Sequence, residues 1–321
     1  MKLALHFISL LFFVSVSFSQ SYELVDKKVS LYPDFNSIEA LSYRIQNDFD
    51  TDSDRARAVF YWIANNISYD VVTSKLPRQY ITFRYRTDAE LKKQKKEYHK
   101  RLAQDAFEKR ITLCGGYSML FVELCNLMGI DAKMIKGVTK VSPLDINQIK
   151  QIKDHAWNAV YLNGHWKLID ITWSAGYRNP NTGKFLLEFN DLYYLPTAQT
   201  FLASHYPADM EWQLIDQPID LVTFFERPLF YPDYFDSGYK ITDLHVGNLK
   251  THDKKVLIEF DSISGSEQLY YRFEEDARMK PLYLKRQSDN TYVAQIKNRK
   301  LTSTSLTIYA NKAPIIDFKI N

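Results

Sequence analysis

Cysteine is scarce in this chain, and so are glycine and long apolar runs. Only two cysteines and ten glycines occur among 321 residues. No internal repeat and no low-complexity tract is visible, so neither a repeat array nor a fibrous architecture is indicated. The composition, 45% hydrophobic and 25% charged, is that of an ordinary globular protein with room for about two domains.

An excess of one charge is also lacking. The 41 basic and 38 acidic side chains give a net charge of +3. A balance so close to neutral argues against nucleic acid or a strongly charged membrane surface as a partner. One local exception is the basic segment 91–101, which follows Thr87 to Glu90, a predicted helix start with acids in the first turn. A solvated basic helix is its ordinary interpretation, and a docking face for an acidic partner is the alternative.

Only the N-terminus carries a long apolar run. Lys2 precedes the apolar stretch from Leu3 to Phe18, and the small residue Ser19 follows it. The run is shorter than the roughly 20 residues of a spanning helix, so we interpret residues 1–19 as a secretory signal peptide. No cysteine lies near the cleavage site for lipid attachment. We therefore predict a secreted or periplasmic protein without a membrane span, with a net charge of +2 once Lys2 is removed.

The two cysteines, Cys114 and Cys125, are predicted to be unpaired. A disulfide is the usual expectation in an exported protein. On one helix, however, eleven residues at ~1.5 Å each separate the two by ~16 Å, whereas a disulfide needs Cα atoms within ~7 Å. A free thiol in an oxidising compartment needs a reason.

Periodicity predicts an α+β fold followed by an all-β region. Helices are predicted from Ser37 to Asp48, from a Thr51 cap to Asn66, from Thr87 to Arg110, and from Cys114 to Met128 before Gly129. A strand over 133–138 and a hairpin over 155–173 follow, and residues 174–220 look irregular. Five short strands are predicted between residues 256 and 320.

A cluster of proline and glycine places a boundary near 225–240. The predicted organisation is a signal peptide over 1–19, a mixed helix and sheet domain over 20–225, and a β-sandwich domain over 240–321.

Cys114, His155 and Asp170 are the parts of a cysteine-nucleophile site. Asn163-Gly164 predicts a two-residue type I′ turn, and pairing the hairpin through that turn places Trp157 opposite Asp170. His155 and Asp170 then lie on one face as diagonal neighbours, so the carboxylate can orient the imidazole.

The start of a buried helix would suit a reactive thiol. The positive end of the helix dipole lowers the pKa of Cys114, and its backbone N–H is a candidate oxyanion donor. Gly115 and Gly116 would let a substrate approach the backbone. A metal site from Asp154, His155 and His165 is disfavoured, because the two histidines fall on opposite faces. No metal ion and no cofactor is predicted.

These segments resemble the motifs of the transglutaminase-like superfamily, and within it the kyphoscoliosis-peptidase-like branch. The resemblance covers roughly residues 35–216 and leaves out the C-terminal sandwich. It is carried by Leu113 to Ser118, Asp154 to Asn158 and Leu168 to Trp173, with Ala58 to Asp70 upstream and Ser204 to Pro207 and Trp212 to Leu214 as a closing segment.

The resemblance implies a papain-like α+β core, with the nucleophile on a helix and the histidine and aspartate on a sheet. Cys114 would be the nucleophile, His155 the general base and acid, and Asp170 the orienting carboxylate. A second oxyanion donor is implied upstream, and we place it in Tyr80 to Arg86. Candidate substrate-binding residues are Gly115, Gly116, Tyr117, Trp157 and Trp173, the two tryptophans as walls.

The predicted function is acyl transfer on protein or peptide amides, with hydrolysis favoured over cross-linking. The alternative is a non-catalytic protein-binding scaffold that keeps the fold.

Overall fold

The structure, a computed structural model, describes residues 19–77, 81–264, 267–299 and 303–321. All but the last residue of the predicted signal peptide lies outside these ranges. Within them, no helix combines the length and apolarity that a membrane crossing requires. The helices are α1 Ser19–Val29, α2 Ile38–Asp48, α3 Asp52–Asn66, α4 Asp88–Lys109, α5 Cys114–Leu127, α6 Ile171–Ala175, α7 Ala198–Leu202, α8 Leu221–Glu226 and α9 Pro232–Asp236.

Three helix starts follow the predicted capping chemistry. The hydroxyls of Ser37, Thr51 and Thr87 each accept a hydrogen bond from the backbone N–H three residues on, at 3.1, 3.1 and 3.2 Å. These bonds satisfy N–H groups that have no partner inside the helix. The predicted starts of α2, α3 and α4 are confirmed.

In the described residues the strands form a four-stranded sheet before residue 225, a four-stranded and a six-stranded sheet after it, and two small pairs. They are β1 Ser68–Tyr69, β2 Ile111–Thr112, β3 Ala132–Thr139, β4 His155–Leu162, β5 His165–Ile169, β6 Gly176–Arg178, β7 Phe185–Leu187, β8 His205–Pro207, β9 Leu229–Phe230, β10 Tyr239–Ile241, β11 Asn248–Leu249, β12 Lys255–Ile263, β13 Leu269–Phe273, β14 Lys280–Pro281, β15 Leu284–Arg286, β16 Tyr292–Lys297, β17 Thr304–Ala310 and β18 Ala313–Ile320.

The first sheet has the order β5-β4-β3-β8, with every neighbouring pair antiparallel. Helix α5 packs on it and contacts β3, β4 and the helices α2, α3 and α4. Its apolar side chains are buried almost all round, as the sequence predicts, and Gly129 follows the helix with φ of 77°. The end of α5 is therefore confirmed.

The hairpin of β4 and β5 has the predicted turn and register. Asn163 and Gly164 both take positive φ, 52° and 83°, and pairing runs from Leu162 with His165 to Asn158 with Ile169. The predicted continuation of β5 to Trp173 is wrong, because the chain turns into α6 directly after Ile169. The cause is local, since the Asp170 side chain caps this short helix.

Strand β8 was not predicted. Three residues are too few to show a two-residue period, so the sequence pattern predicts an irregular segment over 174–220. Backbone pairing with β3 makes the strand, with Thr139 opposite His205 and Gly137 opposite Pro207. Tertiary contact therefore decides this element.

The C-terminal part contains two mainly antiparallel sheets that share an apolar core, as predicted. One has the order β10-β12-β16-β15, and the other β11-β18-β17-β13-β14, with β9 also paired to β18. Side chains from both sheets, such as Phe260 and Ile316, are fully buried in one cluster. The α+β class with an all-β C-terminal region is confirmed.

Both cysteines are free, as predicted. Cys114 at the first position of α5 is half-buried, and Cys125 on the same helix is fully buried. Burial raises the pKa of the Cys125 thiol above its usual range, so this side chain is an inert part of the core.

Candidate active site

Cys114 is held at the start of α5 by the short pairing of β2 with β1. The N–H groups of Gly116 and Tyr117 both return to the carbonyl of Leu113, at 2.9 and 3.2 Å. In the described part of the chain, no acceptor takes a hydrogen bond from the backbone N–H of Cys114 or Gly115. Two donors at the positive end of a helix are thus left next to the thiol.

His155 is the neighbour that acts most strongly against burial on the Cys114 thiol. Burial acts to raise the pKa of this thiol. The hydrogen bond and charge of His155, together with the backbone of Ala156, outweigh burial, and the pKa lies below its usual value. The site therefore favours a thiolate beside an imidazolium.

His155, at the first position of β4, binds the carboxylate of Asp170. Its Nε2 lies 2.6 Å from Oδ2 of Asp170, so Nδ1 is the ring nitrogen that this bond leaves available. Burial acts to lower the pKa of His155, but the charge and hydrogen bond of Asp170 raise it to about 10, with a smaller contribution from Cys114. The ring is therefore positively charged near neutral pH.

Asp170 is fully buried and ionised. Burial acts to raise the pKa of this carboxyl, but His155 and His205 hold it well below its usual range. Its Oδ1 accepts the backbone N–H of Trp173 at 3.2 Å. The side chain was predicted to stand on a strand as a diagonal neighbour of His155. It caps α6 instead, and the predicted proximity to His155 is met from that position.

His205, the first residue of β8, is a member of this cluster that the sequence analysis missed. Its Nε2 lies 3.0 Å from Oδ2 of Asp170, and its Nδ1 lies 2.8 Å from Oγ of Ser204. Its segment was noticed only as part of a resemblance. No local pattern relates residue 205 to residue 170, because the contact depends on the order of strands in the sheet.

The family comparison agrees with this geometry. Residues 39–171 match the model of the transglutaminase-like superfamily. The chain is 27% identical to human kyphoscoliosis peptidase over 244 residues, which cover 76% of this chain and 34% of that protein. The chain carries a transglutaminase-like domain, and it is similar to the kyphoscoliosis-peptidase-like branch. It spans about a third of the length of the curated kyphoscoliosis peptidases, from human and mouse, that it matches.

More distant similarities extend over less of the chain. The Lim and transglutaminase domain protein ltd-1 of Caenorhabditis elegans is 29% identical over 132 residues, covering 36% of this chain and 18% of that protein. A crystal structure of a TGase is 15% identical with a TM-score of 0.30, covering 55% of this chain and 43% of that one. That structural likeness is low.

Within the transglutaminase-like domain, the residues next to Cys114 differ in surroundings. A Cβ added at Gly115 would meet nothing within 4 Å, whereas one at Gly116 would overlap the side chain of Thr112. Tyr117 is buried, and its hydroxyl donates to the carbonyl of Ile67 at 2.5 Å. Gly115 therefore borders open space, while Gly116 and Tyr117 serve packing as they stand here.

The two predicted wall residues lie beside His155. The ring of Trp157 is buried, with its centroid 6.1 Å from that of His155 and 5.2 Å from that of His205. Trp173 is half-buried, with its centroid 5.7 Å from His155 and 4.3 Å from His205. Trp157 is thus buried beside His155 and Trp173 is partly exposed there, and their role as walls of a substrate site stays a prediction.

The cluster around Asp170 also has the residue types of a metal site. The donor atoms of His155, Asp170 and His205 lie within 4.8 Å of one another. Two ligands at about 2.1 Å from a tetrahedral zinc ion stand roughly 3.3 Å apart. The separations of 2.6 and 3.0 Å on one carboxylate oxygen are hydrogen-bond distances instead. The alternative metal site of Asp154, His155 and His165 is also not assembled. His165 is exposed beside the Asn163 turn, at the far end of the hairpin.

The upstream oxyanion segment is described only in part, since Tyr80 lies outside the described residues. The segment from Ile81 to Arg86 contacts α4. The Gln94 side chain donates to the Arg84 carbonyl, and the ring of Tyr98 packs against that of Phe83. A second oxyanion donor there stays a prediction.

Proposed function

We propose that the protein is an exported, cysteine-dependent acyl-transfer enzyme that acts on amide bonds of proteins or peptides and favours hydrolysis. The observation that carries the proposal is the 2.6 Å hydrogen bond between His155 and Asp170, beside a cysteine whose pKa His155 lowers, inside a transglutaminase-like domain. Cys114 is the proposed nucleophile, His155 the general base and acid, and Asp170 the group that orients His155.

The resting state of this mechanism is an ion pair. The pKa of Cys114 is lowered, and that of His155 is raised to about 10. Both shifts favour the form in which the sulfur is negatively charged and the ring positively charged. The thiolate is the nucleophilic form of cysteine, and Asp170 keeps Nδ1 of His155 turned toward the sulfur.

Acyl transfer then proceeds through a thioester. The Cys114 thiolate attacks the amide carbonyl carbon, and the carbonyl oxygen takes the negative charge. The backbone N–H groups of Cys114 and Gly115 are the proposed donors to that oxygen. When the carbon–nitrogen bond breaks, His155 gives its Nδ1 proton to the leaving amine, so the acyl group stays on sulfur and His155 becomes neutral.

Water completes the cycle in a hydrolase. Neutral His155 takes a proton from water, the resulting hydroxide attacks the thioester, and the carbon–sulfur bond breaks to release a carboxylic acid. Thiolate and imidazolium are restored. A lysine amine in place of water would form an isopeptide bond. The name peptidase, carried by the human and mouse relatives, supports water as the acceptor.

Mass spectrometry of a protein mixture treated with the wild-type chain or with Cys114→Ala tests the proposal. New chain termini that only the wild type produces would identify a peptidase. New isopeptide links would identify cross-linking, and deamidated glutamine side chains would identify an amidase. If the two treatments give the same peptides, while Cys114 alkylates no faster than an ordinary thiol, the non-catalytic scaffold is the better account.

Export is part of the proposal and rests on residues 1–19. N-terminal sequencing of the protein recovered outside the cytoplasm should begin near Gln20. Recovery only inside the cytoplasm, with Lys2 still present, would contradict export without bearing on the chemistry.

A further inference from the structure

His205 is hydrogen-bonded to the same oxygen of Asp170 as His155. Its side chain has no exposed surface, and both ring nitrogens are engaged, Nε2 by Asp170 and Nδ1 by Ser204. No substrate can reach this ring. His205 therefore acts on the chemistry through its neighbours, and its hydrogen bond to the site is the one to Asp170.

The hydrogen bonds determine where the protons lie. Oδ2 of Asp170 accepts from Nε2 of both His155 and His205, so each of these nitrogens carries a hydrogen. The Ser204 hydroxyl can then donate to Nδ1 of His205, which leaves this ring neutral. Burial lowers the pKa of His205 and outweighs the opposing hydrogen bond and charge of Asp170. One carboxylate therefore faces one cation, His155, and one neutral donor.

Aromatic rings and the neighbouring chain hold His205 in place. Its ring centroid lies 4.2 Å from that of Phe201 and 4.3 Å from that of Trp173. The Tyr193 ring lies 5.6 Å from that of His205 between centroids, and the Tyr193 carbonyl accepts the backbone N–H of Asp170 at 3.0 Å. The groups that face His205 are thus Asp170, His155 and Tyr193, and the second imidazole is built into a rigid pocket.

Asp170 needs such support because its own element is short. Helix α6 has five residues, and the Asp170 side chain caps it through Oδ1 on the backbone N–H of Trp173. The remaining oxygen, Oδ2, accepts from Nε2 of both His155 and His205. Two N–H donors from separate strands thus act on one oxygen and limit the orientation of the carboxylate.

We propose that His205 is a positioning residue, which holds the Asp170 carboxylate in the plane that binds His155 and thereby maintains the Cys114–His155 ion pair. This inference rests on the proposed function. Loss of the His205 donor should loosen His155, weaken the ion pair and return Cys114 toward an ordinary thiol.

The test compares His205→Phe, His205→Gln and His205→Asn by the rate of Cys114 alkylation with iodoacetamide as a function of pH. Phenylalanine keeps the ring and removes the donor. Glutamine can place an amide N–H near the position of Nε2, whereas asparagine, one methylene shorter, cannot reach Asp170. Buried Cys125 reports folding in the same samples, because it stays unmodified while the core is closed.

We expect the acid limb of the profile to move up by about one pH unit in His205→Phe and His205→Asn, which is a roughly tenfold loss of rate below the limb. His205→Gln should stay within about twofold of the wild type. If His205→Phe exposes Cys125 to alkylation, the test depends on comparing His205→Gln with His205→Asn. The inference is overturned if the pH profile of His205→Phe superimposes on that of the wild type while Cys125 stays protected. It is also overturned if His205→Gln and His205→Asn shift the profile equally.

The wild-type profile separates this inference from the proposed function. If Cys114 of the wild type is reactive but the His205 variants leave its pH profile unchanged, only the positioning role is refuted. A wild-type Cys114 that titrates near the ordinary thiol value of ~8.5 removes both, because no ion pair is then present to be maintained.

Discussion

At the scale of single residues, Asp170 joins three parts of the site. Its two oxygens accept from the backbone of Trp173 and from the rings of His155 and His205. A buried carboxylate is costly unless hydrogen bonds and an opposite charge compensate for the lost water. The three donors provide this compensation, and they also fix the orientation that the chemistry requires.

Two neighbouring glycines give a prediction at this scale. Gly116→Ala should lower the free energy of unfolding by about 1–3 kcal/mol, because the new methyl group overlaps three atoms of Thr112. Gly115→Ala is the matched control and should stay within about 0.5 kcal/mol of the wild type, since nothing lies within 4 Å. Urea unfolding followed by fluorescence measures both. Equal destabilisation of the two variants would contradict the difference in their surroundings.

At the scale of elements, the β4–β5 hairpin determines how close His155 and Asp170 come. The turn at Asn163 and Gly164 sets the register, and a slip by one residue would turn every side chain of β5 to the other face. The strand then ends at Ile169, one residue before Asp170. The carboxylate reaches His155 from the first turn of α6 rather than from a strand.

The turn can be tested by replacing Gly164 with alanine. Gly164 has φ of 83°, a conformation that costs a residue with a Cβ roughly 1–2 kcal/mol. Gly164→Ala should lower stability by about that amount, while alkylation of Cys114 keeps its pH profile because the register is unchanged. Gly115→Ala serves again as the glycine-to-alanine control in the unfolding measurement. Unchanged stability in Gly164→Ala would show that positive φ does not constrain this turn.

Helix α4 is the most basic element. Its cationic side chains between 91 and 101 are exposed, namely Lys92, Lys93, Lys95, Lys96, Lys100 and Arg101. Exposure fits a solvated helix as well as a docking face. An acidic partner at this helix stays a prediction.

At the scale of the whole molecule, Lys140 connects the first sheet to the segment that leads into the C-terminal sheets. It directly follows β3, and its ammonium group donates to the carbonyls of Phe224, Arg227 and Pro228 at 2.9, 2.8 and 2.9 Å. The side chain is almost fully buried. Burial lowers the pKa of Lys140 to about 7, and the three backbone acceptors satisfy the buried amino group.

Replacing Lys140 with methionine should therefore destabilise the protein strongly. The stem still fits an apolar path, but three buried carbonyls lose their donor, at about 1–3 kcal/mol each. Lys136→Met is the control, because Lys136 lies exposed on the same strand. Guanidinium unfolding followed by fluorescence and by circular dichroism measures both variants. A midpoint for Lys140→Met equal to that of Lys136→Met would mean that the three carbonyls find other partners.

Most of the local structure was predictable because it depends on neighbours in the chain. Ser37, Thr51 and Thr87 start helices by capping N–H groups three residues on, and Asn163-Gly164 determines a hairpin register. The division into three units, residues 1–19, 20–225 and 240–321, stays a prediction. Strand β9 at Leu229–Phe230 already pairs with a C-terminal strand.

The sequence by itself determined the capped helices, the β4–β5 hairpin, the free state of both cysteines and three residues of the site, since helical periods, caps and turns act over a few residues. The tertiary structure alone decided that Asp170 caps a helix, that β8 joins the sheet and that His205 meets Asp170. The physical reason is that the last two depend on packing between segments about 35 or more residues apart, which leaves no periodic trace in the chain.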